Sequence, residues 1–96
     1  MALVRIHPLR IRIIAENIAH SLKRNLIELE RLRYMLEASG FMAPLPDEQI
    51  IEAIAQLYDL ANTVSQYSFE VEAEIPSYSD IAREVDEYLR REGIIV

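Results

Sequence analysis

The sequence predicts an all-α protein, a long antiparallel helical hairpin with a shorter third helix, forming a three-helix bundle in one domain over residues 1–96. Apolar residues recur every three or four positions along two long stretches. Prolines and glycines stand only between or at the ends of those stretches. The 51% hydrophobic content of a 96-residue chain supports one modest core.

In the first element, Ile11, Ile14, Ile18, Leu22, Leu26, Leu29, Leu32 and Leu36 form one helical seam. Pro8 suits a first helical position, where its missing amide is no loss, and Gly40 suits the left-handed position just past the end. A helix over about 8–39 follows. Leu9 to Ile13 also alternates with period two, but the 3.6-residue pattern continues several turns further and favours the helix.

A loop from Gly40 to Leu45, punctuated by Pro44 and Pro46, leads to Asp47 and Glu48, whose charges suit the positive end of a helix dipole. Ile50, Ile54, Leu57, Ala61, Val64, Ser68 and Val71 then predict a second helix over about 46–73. Within it, residues 69–75 alternate in a way that suits a strand equally well. Pro76 ends the element in either conformation. Ser77 and Asp80 have capping-box spacing and open a third helix over about 78–92, with Ile81, Val85, Tyr88 and Leu89 as its core face and Gly93 at its close.

Charge divides the chain. Residues 1–35 carry a balance of plus four and residues 36–96 one of minus ten, for a net charge of −6. If the two long helices fold back on each other, Arg10 and Arg12 stand level with Glu72 and Glu74, and Arg33 with Glu52. Arg83 with Glu87 and Glu87 with Arg91 are spaced to pair along the third helix. The mostly self-satisfied asymmetry argues against a nucleic-acid footprint, which is a basic patch on a usually basic domain. The rival reading makes Arg5, Arg10, Arg12, Lys23 and Arg24 phosphate contacts of a nucleic-acid-associated regulator, antitoxin-like or DNA-binding.

Several chemistries lack their residues. Without cysteine there is no thiol nucleophile, disulfide or thiolate metal site. Two glycines cannot build a glycine-rich phosphate loop. Glu16 and His20 share a helix side but have no second motif to complete a metal site. Glu84 and Glu87 likewise lack the paired motif that an oxygen-ligated magnesium needs, and Glu70, Glu72 and Glu74 offer carboxylates alone. No catalytic residue, cofactor or metal is therefore expected.

No stretch free of charge approaches the roughly 20 apolar residues of a membrane span, and the one from Ala38 to Pro46 contains glycine and two prolines. The N-terminal patch is too short for a secretory signal, so a cytoplasmic protein is expected. The remaining feature is surplus apolar surface. Ile13, Ile27 and Tyr34, with His20, repeat every seven residues on the side of the first helix away from the seam, and Ile94, Ile95 and Val96 form an apolar tail. These residues predict a partner interface. The expected function is that of a small non-enzymatic interaction or assembly protein, a homo-oligomer or the accessory subunit of a larger complex.

Overall fold

The computed structural model describes residues 2–41 and 47–94. Among them the elements run β1 (Ala2–Ile6), α1 (Pro8–Ala38), α2 (Asp47–Val64), β2 (Val71–Ile75) and α3 (Tyr78–Arg91). The chain is mostly helical and has the three expected helices, but β1 and β2 pair as a two-stranded antiparallel sheet, which corrects the all-α expectation. Two compact units result. His7–Phe69 holds α1 and α2, and the other unit holds β1, β2 and α3.

The ends of α1 follow their local chemistry. His7 is extended, and its carbonyl accepts from the amides of Arg10 and Ile11, while Pro8 takes the first helical position. At the other end Gly40 has φ 86°, a left-handed conformation that costs a glycine little. The Gly40 amide donates to the Glu37 carbonyl at 3.1 Å and the Phe41 amide to the Leu36 carbonyl at 2.8 Å, the paired bonds of a Schellman stop. Gly93, at φ 73°, repeats the arrangement after α3, with Gly93 donating to Arg90 and Ile94 to Leu89. The start of α3 is capped as expected: the Asp80 amide donates to the Ser77 hydroxyl at 3.2 Å.

The second helix is shorter than its spacing predicts. It stops at Val64, and Ser68 and Val71 leave the helical seam. The amides of Gln66 and Tyr67 turn tightly onto the carbonyls of Thr63 and Val64, and the Ser65 hydroxyl donates to the Asn62 carbonyl at 2.7 Å. The chain beyond is then free to pair with β1, in the register Leu3 with Glu74, Val4 with Ala73, Arg5 with Glu72 and Ile6 with Val71. This register sorts the side chains. Val4, Ile6, Val71, Ala73 and Ile75 share one face of the ribbon, and Leu3, Arg5, Glu72 and Glu74 share the other.

Within the helical unit α1 and α2 pack on each other, and the buried residues at their contact are alanines: Ala15, Ala19 and Ala61. On α1 the contact face is turned by roughly 60° from the axis of the predicted seam, taking 100° per residue. Ile11, Leu22, Leu26 and Leu29 remain half-buried beside the alanines. Ile14, Ile18 and Leu32, expected in the core, are exposed on the flank, and Ile18 keeps 45% of its surface. Small side chains let the helix backbones approach closely, so the bulkier seam residues sit beside the contact rather than in it. On α2 the expectation holds better: Ile50, Ile54, Leu57 and Val64 flank buried Ala61.

Candidate interaction surfaces

Helix α1 has 31 residues and α2 has 18, lengths of about 46 Å and 27 Å at 1.5 Å per residue. One shorter helix cannot cover an α1 that is apolar on several sides. The predicted stripe lies where the seven-residue spacing places it: Ile13, Ile27 and Tyr34 are all exposed, the last two by 58% and 65%. His20 is exposed as well, but its ring meets Tyr58 of α2 edge-on, with centroids 6.2 Å apart. Ile94 is exposed after α3, while Ile95 and Val96 lie outside the described residues.

Two surfaces were not expected. The first is the flank of α1, where Ile14, Asn17, Ile18, Ser21 and Leu22 line a shallow open groove, with Leu32 further along. A second groove, lined by Leu9, Arg10, Ile13 and Ile14, adjoins it. The second surface is on α3. Ile81, Val85 and Tyr88, expected in the core, are all exposed, and no strand of the same unit packs along the helix. Both were hidden in the sequence because a seam at helical spacing looks the same whether its partner belongs to the same chain or to another.

Several of the basic residues are held by carboxylates. Arg5, on β1, holds Glu70 at 2.9 Å and Glu72 at 3.4 Å. Arg12 pairs with Glu16 at 2.9 Å, and Arg33 with Glu30 while lying 5.7 Å from the Tyr34 ring centre. In place of the long-range pairing expected of Arg10 and Arg12 with Glu72 and Glu74, and of Arg33 with Glu52, Arg12 and Arg33 take neighbours on their own helix. The reason is that Glu72 and Glu74 sit on a strand, so the register of a helical hairpin does not extend to them. On α3, Arg83 reaches back to Asp80 at 3.5 Å instead of forward to Glu87. Arg10, Lys23 and Arg24 make no ion pair among the described residues; at 100° per residue Arg10 and Arg24 stand about 40° apart on one side of α1, while Lys23 stands about 100° or more from both.

Among the described residues no three of His, Asp and Glu converge as metal ligands, and no helix is long and apolar enough to cross a membrane. A groove of about 300 Å³ beside His7, Arg12, Tyr67 and Phe69 is open, and its lining residues other than Pro8 are exposed. Comparison of the chain with protein-family models, with curated proteins and with solved structures gave no match.

Proposed function

We infer that this chain is a non-enzymatic assembly module that works as a homo-oligomer, its helix faces completed by further copies. One observation supports the reading above all: among the described residues only Ala15, Ala19 and Ala61 are buried apolar residues. Fully burying one Leu, Ile, Val or Phe stabilises a fold by about 1.5–3 kcal/mol, and among the described residues no such side chain is fully buried. A chain that is half hydrophobic and leaves its large side chains at the surface gains stability by burying them against neighbours.

In this reading α1 and α2 form an antiparallel hairpin. His20 meets Tyr58, which puts the start of α2 about 17 Å from that level. A parallel arrangement would need the link between Ala38 and Asp47 to span more than 40 Å, whereas nine steps of chain reach about 31 Å. The hairpin then offers the flank of α1, with Ile14, Ile18 and Leu32, as the principal assembly face. The stripe of Ile13, Ile27 and Tyr34 is available to a further neighbour. The nucleic-acid reading has less support, because Arg5 and Arg12 are already held by carboxylates.

Light scattering on the size-exclusion peak at two protein concentrations tests the proposal. The expected mass is a small multiple of 11.1 kDa. A monomer at both concentrations that unfolds cooperatively would overturn the oligomer. A monomer that unfolds without cooperativity would move the reading to an accessory subunit completed by another protein. Duplex binding at low salt that weakens steeply as salt rises would favour the phosphate-contact reading instead.

A further inference from the structure

We propose that a second copy of this chain adds to the outer edge of β1, strand against identical strand about a two-fold axis at Val4, giving a four-stranded sheet in the order β2, β1, β1, β2. The proposal deepens the oligomer reading by naming one of its interfaces and its register. It starts from the ribbon, because a two-stranded ribbon is marginal in water unless further strands or a packed helix support it, and α3 does not pack along this one.

The two edges of the ribbon differ. On β2, Glu72 and Glu74 line the polar face, and Glu70 precedes the strand in phase with them. Any antiparallel pairing of β2 with its own copy that keeps the two apolar faces together therefore sets glutamate opposite glutamate. That edge repels itself. Charges of this kind are a common protection of edge strands.

The edge of β1 carries no such protection. Centred on Val4, the pairing places Leu3 opposite Arg5 of the copy, and no two like charges are directly opposed. Each Arg5 is already matched by its own Glu70 and Glu72, at 2.9 and 3.4 Å. Leu3 is 68% exposed in the protomer and would be covered by the aliphatic stem of the opposing arginine. On the other face Val4, Ile6, Val71, Ala73 and Ile75 join their copies in one continuous apolar surface. A two-fold pairing of this kind closes on itself, whereas joining the β1 edge to a β2 edge would propagate into a filament.

The chain has no cysteine, so single-cysteine variants report the register directly. Directly opposed residues in an antiparallel pair have Cα atoms about 4.5 or 5.5 Å apart, and both distances suit a disulfide. Val4→Cys, treated with oxidised glutathione, is expected to run mostly as a disulfide-linked dimer on a non-reducing gel. Ala73→Cys is expected to stay monomeric on the same gel, because its two copies would lie three strand spacings apart, about 14 Å.

A second set guards against a Val4 variant that folds poorly. Leu3→Cys mixed with Arg5→Cys should cross-link, while Leu3→Cys alone should not, its two copies being offset to about 8 Å, beyond the reach of a disulfide. Cross-linking of Ala73→Cys, or failure of both Val4→Cys and the mixed pair in protein whose mass is oligomeric, would overturn this interface and leave the oligomer reading standing. A monomeric mass at every concentration would overturn both.

Discussion

The alanine contact between α1 and α2 gives a prediction opposite to the one the hydrophobic seam suggests. Ala19 is 0% exposed, so Ala19→Leu must place three further carbons where no space is open to solvent. Overpacking of this kind costs about 1–3 kcal/mol. Ile18→Ala removes three carbons from a residue that keeps 45% of its surface. At about 0.8 kcal/mol per buried methylene, scaled to the covered fraction, the loss is about 1.3 kcal/mol.

For a domain of this size about 2 kcal/mol corresponds to a fall of about 8–16 °C in melting temperature, well within the reach of a circular-dichroism melt. The expected order is therefore that the added bulk at Ala19 costs as much as or more than the truncation at Ile18. A neutral or stabilising Ala19→Leu beside an Ile18→Ala loss of about 3 kcal/mol or more would place α2 on the seam and refute the alanine contact. If an oligomer covers Ile18, the cost of Ile18→Ala will also grow with protein concentration, by mass action.

Other perturbations test single features. Ser77→Ala removes the cap on the Asp80 amide and should destabilise α3 by about 1 kcal/mol, read as faster amide exchange in its first turn, while Ser77→Asp should retain the protection. Gly40→Ala meets no atom within 4 Å, so its cost, about 1 kcal/mol by urea denaturation, would come from the left-handed backbone alone. Arg5→Glu places a like charge opposite Glu72, and its melting temperature should fall at low salt and recover as salt is added; an identical fall at high salt would mean that the exposed pairs are not the cause.

The parts of the fold that were legible in the sequence are those set by a few neighbouring residues. Pro8, Gly40, Ser77 and Gly93 mark helix ends because the donors and acceptors involved lie within five residues of one another. The ribbon was not legible, because what makes Ala2–Ile6 a strand is Val71–Ile75, a partner far along the chain. The alternation over residues 69–75 was visible, but helical spacing through Ser68 and Val71 competed with it and nothing local decided between them. The helix contact was misplaced for a different reason. Periodicity weights bulky apolar residues, whereas close helix approach selected Ala15, Ala19 and Ala61. The stripe of Ile13, Ile27 and Tyr34 could be read because it departs from the seam, while the flank of α1 and the apolar face of α3 were taken for core.

The pairing of β1 with β2 also has a kinetic meaning. Ile6 and Val71 are 65 residues apart, and closing a flexible loop of that length costs about 2.5 kcal/mol more in chain entropy than closing a four-residue turn. Strand pairing cannot begin cheaply from the extended chain. The helical unit shortens the search, since it already sets His7 and Pro8 beside Tyr67 and Phe69, next to the roots of both strands. The ribbon is then expected to close after α1 and α2 have paired. Its amides should exchange through openings that leave α1 and α2 intact.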